Sequence, residues 1–444
     1  MRSERWDDLA SQRRPPYGVR MRMRVLLLAG SLVMAVAVPA AAASGDIDTS
    51  FGGDGVVHTN FSGDVDLVDT ALGVALQPDG KIVAVGRAGG GGGRFALARY
   101  LTDGTLDPTF GGDGKVLTDL SAGADVANDV AIQSDGKIVT AGRAGGNGGQ
   151  IALVRYLSDG TRDPSFDGDG KLLIDVTRRD DAAESLVIQP DGKIVIAGYA
   201  GSTWAVERLT TDGLLDGGLA GDGLVRPRFT SERDAAAAVA LDGSGRIIVA
   251  GTAGMSPKGP GNSDLAVVRY LDDGTLDDTF EGDGKWLREI SSGGDVAYGV
   301  AIQSDQKIIV VGTTGIGIVS DPDWDPFILR LDALGVLDPT FSDDGIRAYN
   351  VTNRPDVATG VAIQGDGKII QVGTSIRPCC SRAWLVRYKT NGNIDQTFGN
   401  GRVLTEPANA SSGQDVALLP DGSIVIVGRA GSDASVFSTM RFLP

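Results

Sequence analysis

Seven similar copies of one short segment constrain the fold of this chain more than any other feature of its sequence. The first copy reads G-V-A-L-Q-P-D-G-K-I-V-A-V-G and spans residues 73–86. Each copy is followed by an arginine between apolar residues, and successive arginines are 53 to 61 residues apart. A third segment, similar to D-x-T-F-G-G-D-G-K, also occurs seven times. A repeat of this length is typical of solenoids and propellers, in which each copy forms one small structural unit.

One residue marks each repeated element. The last glycine of the first segment recurs at Gly86, Gly142, Gly198, Gly251, Gly312, Gly373 and Gly428. The arginine recurs at Arg99, Arg155, Arg208, Arg269, Arg330, Arg387 and Arg441. The aromatic residue of the third segment recurs at Phe51, Phe110, Phe166, Phe280, Phe341 and Phe398, and Leu219 replaces it in the remaining copy.

Each repeat predicts four short β-strands, named a to d, that are joined by tight turns. In the second copy they are Asn128–Gln133, Lys137–Arg143, Ile151–Leu157 and Lys171–Val176. Asp-Gly pairs between β-branched runs are strong hairpin signals, so consecutive strands are expected to pair antiparallel. Because radial repetition of such sheets protects their edges, we predict an all-β fold, a seven-bladed β-propeller of four-stranded antiparallel blades. The propeller is expected to be a single domain over residues 44–444.

The order of strands predicts how the ring closes. Strand a is small and apolar at nearly every position, as expected for an inner strand packed on both faces. Strand d, as in Lys115–Leu120, alternates polar and apolar residues and suits an outer edge. The first strand after residue 43 is of type d, Val56–Phe61, and the last is of type c, Phe437–Leu443. We therefore expect the N-terminal strand to join the C-terminal blade and close the ring.

Residues 1–43 do not follow the repeat and have the features of a secretory signal peptide. Arg20, Arg22 and Arg24 precede an apolar run over residues 25–38, which a run of small residues follows. About 14 apolar residues are too few for an ordinary membrane span of ~20, so no span is expected in the mature chain. The long polar segment before Met21 indicates a start at Met21 or Met23. A secreted or cell-envelope location is therefore predicted.

The charge of the chain excludes one class of partner. The net charge is −16, and without residues 1–43 it becomes −20, because that segment carries seven arginines and three acidic residues. Such a surface repels phosphate backbones, so no nucleic acid partner is expected. The two cysteines, Cys379 and Cys380, are adjacent and cannot join distant segments. Their redox state stays open: a vicinal disulfide, two thiols or an intermolecular link.

The repeated motifs resemble those of a known family. The segments D-P-T-F-G-G-D-G-K at 107–115, V-A-I-Q-S-D-G-K-I-V-T-A-G at 130–142 and A-L-V-R-Y-L-S-D-G-T at 152–161 are similar to the delta-60 repeat of bacterial, often exported, proteins. The resemblance covers residues 46–444 and departs most at 214–219. It implies a β-propeller in an extracellular or envelope setting. It implies no activity, because the family supplies no catalytic residues to carry over.

Histidine is almost absent, and this excludes several chemistries. His58 is the one histidine of the chain. A multi-histidine zinc site is therefore impossible, and a Ser-His-Asp triad would depend on this residue in a predicted edge strand. The seven strand-c arginines are distributed one per repeat, which favours structural bonds to carboxylates or carbonyls over an anion site.

A carboxylate precedes strand a in six repeats and has two interpretations. The set comprises Asp69, Asp125, Asp181, Asp234, Asp295 and Asp356, and Ser411 takes this place in the seventh repeat. The register places an acidic ring around one mouth of the central channel, where hard cations prefer oxygen ligands. Alternatively, each carboxylate accepts hydrogen bonds from backbone amides at the crossover between blades. The symmetry of the set favours the second, structural interpretation.

The loops between strands b and c vary most and supply the remaining candidates. One such loop contains Asp321, Asp323 and Asp325 at alternate positions, a spacing that suits calcium but lacks the turn glycine and the closing glutamate. Candidate ligand-binding residues are Trp324, Trp384, Arg377 and Arg382. Exposed Trp and Arg are typical of recognition surfaces, although the same residues also serve to pack loops.

Three functions are consistent with the sequence. The first is a binding or interaction scaffold that uses its variable loops on one face for a protein or glycan ligand, with calcium as the possible cofactor. The second is a carboxylate-based extracellular glycan hydrolase or lyase, which needs no histidine. The third is a purely structural envelope repeat. A monomer is expected in each case.

Overall fold

The repeat forms the same four-stranded sheet seven times around one axis. The structure is a computed structural model and describes residues 43–61, 68–89, 92–146, 148–255, 263–316, 324–377, 381–405, 412–431 and 436–444. Apart from a short 3₁₀ turn at Gly399–Gly401, the regular elements in these ranges are strands. No helix in the described ranges has the length and apolar character needed to cross a bilayer.

Within the described ranges, twenty-eight strands build the sheets, and they are numbered along the chain. Strands of type a are Thr70–Leu76 (β2), Val126–Ile132 (β6), Asp181–Ile188 (β10), Arg233–Leu241 (β14), Gly294–Ile302 (β18), Asp356–Ile363 (β22) and Ser412–Leu418 (β26). Strands of type b are Ile82–Ala88 (β3), Ile138–Ala144 (β7), Ile194–Ala200 (β11), Ile247–Met255 (β15), Ile308–Ile316 (β19), Ile369–Ser375 (β23) and Ile424–Ala430 (β27).

The outer half of each sheet is formed by types c and d. Strands of type c are Arg94–Tyr100 (β4), Gln150–Tyr156 (β8), Thr203–Leu209 (β12), Asp264–Tyr270 (β16), Asp325–Leu331 (β20), Arg382–Tyr388 (β24) and Val436–Phe442 (β28). Strands of type d are Val56–Thr59 (β1), Lys115–Thr118 (β5), Lys171–Ile174 (β9), Leu224–Val225 (β13), Lys285–Arg288 (β17), Ile346–Ala348 (β21) and Val403–Leu404 (β25). Type d is shorter than the sequence predicts.

The sheets are the blades of a closed seven-bladed propeller. Blades I to VI are β2–β5, β6–β9, β10–β13, β14–β17, β18–β21 and β22–β25, and blade VII has the order β1-β28-β27-β26. Strand β1 pairs antiparallel with β28, with Val56 opposite Met440 and Thr59 opposite Phe437. The amide of Val74 in β2 donates to Asp415 Oδ2 in β26 at 2.9 Å, which joins the first and last inner strands. The predicted fold and ring closure are confirmed.

The repeated arginine and phenylalanine hold neighbouring blades together. In blade I the Arg99 Nε donates to Asp107 Oδ2 at 2.9 Å. The same guanidinium lies 4.6 Å from the Phe110 ring centroid and donates through Nη1 to the Ser158 carbonyl of blade II. Burial of the ring and of both charges makes the pairing stronger than a surface ion pair. The predicted structural role of the arginines accounts for these bonds.

The repeated glycine of strand b has a steric cause. Every strand a contains a β-bulge opposite this glycine, as between Ala71 and Gly73 in blade I. A Cβ on Gly86 would lie 1.9 Å from the Thr70 carbonyl oxygen. The other six glycines would meet an equivalent carbonyl oxygen at 2.0 to 2.3 Å. Only glycine allows the two strands to approach this closely, so the sequence motif and the bulge require each other.

Candidate functional site

The inner strands enclose a cavity at one end of the central channel. Its volume is about 1010 Å³, and residues from all seven blades line it. The lining comes from the first residues of strands a and the last residues of strands b, the end at which the d–a crossovers and b–c loops meet. The amide of Asp125 in one crossover donates to the Gly93 carbonyl in a b–c loop at 2.6 Å. We call this cavity the channel mouth.

The β-bulges present one side chain per blade to the channel mouth. A bulge inserts an extra residue and re-aims its side chain, a device common next to active sites. These seven side chains differ although the backbone around them repeats. In blade order they are Leu72, Asn128, Glu184, Ala237, Tyr298, Thr359 and Gln414.

A second set of side chains follows the repeated glycine of strand b, and five of its seven members line the mouth. On blades VII, I, II and III these residues are Arg429, Arg87, Arg143 and Tyr199. On blades IV, V and VI they are Thr252, Thr313 and Thr374. The lining members of this set are therefore cationic on blades VII and I and neutral on blades III, IV and VI, and Arg233 adds a positive charge from blade IV.

Three arginines line the channel mouth. Within the described residues, the guanidinium groups of Arg87, Arg233 and Arg429 form no ion pair. Arg233 instead lies 4.4 Å from the Tyr199 ring centroid. The strand-c arginines, in contrast, are paired with aspartates, as Arg99 is with Asp107 at 2.9 Å. Unpaired guanidinium groups in a partly closed cavity attract anions, since few solvent molecules screen them.

Glu184 is the single carboxylate among the described lining residues. Asn128 Nδ2 donates to its Oε2 at 3.2 Å, and the same amide donates to the Ala183 carbonyl at 2.8 Å. Burial raises the pKa of Glu184 to about 7, and the positive charges of Arg233 and Arg143 oppose this rise. The side chain therefore changes its charge near neutral pH, at a place where a ligand would meet it.

Apart from Arg233 and the threonines, the lining on blades IV to VI is largely apolar. It includes Ala237, Ala297, Val357 and Tyr298. The Tyr298 side chain is 37% exposed, which is unusual for an inner-strand aromatic residue in this fold. An exposed tyrosine ring offers a flat apolar face together with a polar hydroxyl group.

The six crossover aspartates are buried, with 0–1% exposure. The Asp125 carboxylate accepts hydrogen bonds from the amides of Leu120 at 2.7 Å, Ser121 at 3.1 Å and Gly145 at 3.0 Å. Asp181 and Asp234 make the corresponding bonds in their own crossovers. These carboxylate oxygens tie each crossover to the following b–c loop, which is the second interpretation given above.

The loop candidates are distributed over core and surface. Trp384 has 0% exposure and packs in the core between blades V and VI, so it cannot contact a ligand at the surface. Its ring occupies the space that Gly373 leaves in β23. Trp324, Arg377 and Arg382 are partly exposed on the crossover face. They do not line the channel mouth, although Ile376 and Ser381 of the same blade VI loop do.

The structure describes one of the three calcium candidates, Asp325. Asp321 and Asp323 lie outside the described residues, as do Cys379 and Cys380. Asp325 lies at the start of β20. In the described ranges, no group of three or more His, Cys, Asp or Glu side chains is arranged to hold a metal ion. His58 is exposed in β1, opposite Ser438.

Comparison with known proteins supports the repeat architecture. Five segments, 77–110, 133–166, 189–218, 243–280 and 303–341, match the family model described as a domain of unknown function (DUF5122) beta-propeller. The chain is a β-propeller repeat protein. Each matched segment runs from the a–b turn through strands b and c toward the repeated phenylalanine, in blades I to V.

Solved propellers are similar to this one in fold alone. Virginiamycin B lyase from Staphylococcus aureus has a TM-score of 0.50 at 10% identity, with 87% of this chain and 98% of that chain covered. A polysaccharide lyase of family PL25, an ulvan lyase, has a TM-score of 0.50 at 10% identity, covering 83% and 94%. No curated protein matches the chain in sequence.

Sequence reasoning missed the channel mouth. The bulge residues and the residues after the repeated glycine are the signal that could have revealed it. Both positions have a fixed register in every repeat and yet vary from arginine to threonine or from glutamate to leucine. The signal is that the side chain differs between blades at a fixed strand position, and not that loop lengths differ. Such differences are expected where the lining contacts a ligand.

Proposed function

We propose that this protein is an exported binding propeller that takes an anionic ligand at the channel mouth. The observation that carries the proposal is the set of guanidinium groups of Arg87, Arg233 and Arg429, which line the mouth and form no ion pair with any described residue. The whole chain has a net charge of −16, so a cavity lined by three arginines and one carboxylate is opposite in sign to its surroundings. A positive cavity in a negative protein selects anions and concentrates them locally.

The setting of this function follows from the sequence motifs. The delta-60-like repeats and the signal-like residues 1–43 support a secreted or envelope-associated bacterial protein. The ligand is a glycan or a peptide segment with acidic groups. The partly exposed Trp324, Arg377 and Arg382 lie on the same face and extend the contact surface toward a larger partner.

The repeats themselves supply the variants for a test. In blades IV to VI threonine occupies the position of Arg87 and Arg429, so the double variant R87T/R429T carries side chains that this backbone already accepts. Binding of fluorescein-labelled heparin and polygalacturonate is measured for both proteins at 50 and 200 mM salt. The double variant should bind about a hundredfold or more weakly, since two charge-assisted hydrogen bonds at about 1.5–3 kcal/mol each contribute about 3 kcal/mol or more.

A control separates the mouth from general charge. Arg162 is exposed on the opposite face and pairs with Asp169 at 3.5 Å. R162T removes one positive charge away from the cavity and should leave binding unchanged. Equal binding by the wild type and R87T/R429T, with unchanged melting temperatures, would remove the proposal.

An enzymatic role is the second candidate, and one observation favours it. The pKa of Glu184, raised to about 7 by burial, suits proton transfer at neutral pH. Hydrolysis of a glycoside needs two carboxyl groups about 5–10 Å apart, whereas Glu184 is the single carboxylate among the described lining residues. A lyase needs one base, so screening acidic polysaccharides for new absorbance at 235 nm tests this candidate. Turnover lost in E184Q would support it.

A further inference from the structure

The channel mouth combines three kinds of side chain that one ligand would have to satisfy together. They are arginines, one carboxyl group and an exposed tyrosine. A volume of about 1010 Å³ is at the upper end of small-molecule sites, so several linked ring units fit. The combination narrows the chemistry of the anion.

Glu184 disfavours anions that offer only acceptor oxygens. A phosphate or polyphosphate brings negative oxygens and few donors, so an ionised carboxylate beside Arg233 would repel it. A hydroxylated ligand behaves differently, because its hydroxyl groups donate to a carboxylate and accept from the amide of Asn128. Gln414 and Thr359 add further groups that bond with hydroxyls. These residues therefore favour a polyhydroxylated anion.

Tyr298 supplies the third requirement. Its ring lies at a bulge position among Ala297 and Val357 and is 37% exposed. A pyranose ring has a face of C–H groups that packs on a tyrosine ring while its hydroxyls point outward to polar groups. The arrangement places an apolar platform on blade V, separate from Arg87 on blade I and Arg429 on blade VII.

We infer that the ligand is an acidic saccharide, whose carboxylates pair with Arg87, Arg233 and Arg429, whose hydroxyls bond with Glu184 and Asn128, and whose ring packs on Tyr298. This inference rests on the proposed function and specifies its ligand class. Glu184 and Tyr298 are the specificity-determining residues, since they distinguish a sugar acid from other anions.

The experiment compares trigalacturonate, tripolyphosphate and neutral maltotriose by isothermal titration calorimetry. The variants again come from the repeat: E184L carries the residue of blade I, and Y298A carries that of blade IV at the same bulge. The wild type should bind trigalacturonate about tenfold more tightly than tripolyphosphate. E184L should weaken trigalacturonate binding and strengthen tripolyphosphate binding. Y298A should weaken trigalacturonate binding alone, and Y298F should restore it.

The outcomes separate this inference from the proposed function. Tighter binding of tripolyphosphate, lost in R87T/R429T, would overturn the saccharide inference and leave anion binding intact. Maltotriose binding as tight as that of trigalacturonate would overturn both the need for charge and the proposed function. Absence of binding by every anion tested, in a protein with an intact thermal transition, would overturn both.

Discussion

Glu207 offers the most stringent test of the energetics of this fold. It occupies strand c of blade III, immediately before the repeated arginine, where the other six blades carry Ala98, Val154, Val268, Leu329, Val386 and Met440. The Glu207 side chain is 1% exposed, and neither of its carboxyl oxygens has a hydrogen-bond partner among the described residues. Its register partner is Ile196 in β11, so the carboxyl group lies in the apolar core between blades II and III.

The raised pKa of Glu207 determines how much this residue lowers the free energy of unfolding. Burial raises the pKa of Glu207 to about 8, and the negative charge of Asp181 adds to this rise, against an ordinary value of 4.5. The folded protein therefore holds a proton that the unfolded chain has lost between pH 4.5 and 8, and stability falls as the pH rises through this window. At about 1.4 kcal/mol per pKa unit, the loss approaches 5 kcal/mol at pH 8. Burial of the unpaired neutral acid adds about 1–3 kcal/mol at every pH.

E207V places the residue of three other blades in this core. Its free energy of unfolding should exceed that of the wild type by about 2 kcal/mol at pH 4 and by about 5 kcal/mol more at pH 8. Urea titrations followed by tryptophan fluorescence measure this, since Trp204 lies in the same strand as Glu207. E207Q should lose the pH-dependent part and keep the constant part. E289V, at an exposed glutamate, is the control.

A difference between E207V and the wild type that stays constant from pH 4 to 8 would refute this reasoning. An E207V protein that is less stable than the wild type at every pH would also refute it. That result would show that the Glu207 carboxyl group has stabilising partners that the packing does not reveal.

Three further predictions test other parts of the structure. G142A should destabilise the fold by about 3 kcal/mol or more, because its Cβ would lie 2.0 Å from a carbonyl oxygen. G146A is the control and should change the stability little, because there is open space around this glycine. Urea denaturation compares the two variants. R99A should lower the free energy of unfolding by about 3 kcal/mol, because the buried Asp107 carboxylate would lose its close arginine partner. Urea denaturation measures this difference too. Tripolyphosphate binding should strengthen from pH 8 to 6, as Glu184 takes up a proton, and the part of this dependence that Glu184 causes should disappear in E184L.

The sequence contained nearly all of the information about the propeller. The period of the repeat, the Asp-Gly turns and the small apolar strands predict the four-stranded blade. Closure of the ring follows from the first and last strands, Val56–Thr59 and Val436–Phe442, which pair with each other. Strand d was harder to delimit: β13 has two paired residues and β9 has four. An outer strand pairs on one side alone, so its length depends on the twist of the sheet and not on its hydrophobic pattern.

The candidate site was less accessible to sequence reasoning, because its chemistry depends on register. Glu184 and Tyr298 look like ordinary strand residues until the bulge shows that they point into the channel. Trp384 beside a variable loop suggests a surface residue, yet its strand position is that of Ala205 in blade III, inside the core. A one-residue difference in register reverses the face on which a side chain lies, and composition cannot reveal it.

The glycine and the bulge together separate the chemistry of the channel from the stability of the scaffold. The bulge residue has no register partner on strand b, and its side chain does not enter the core between blades. That core is built from residues such as Phe110 and Val130. The same backbone therefore accepts leucine at position 72, glutamate at 184 and alanine at 237 without a change in register. Substitutions among these positions should alter what the mouth binds while leaving the melting temperature nearly constant, because stability resides in contacts that the channel does not share.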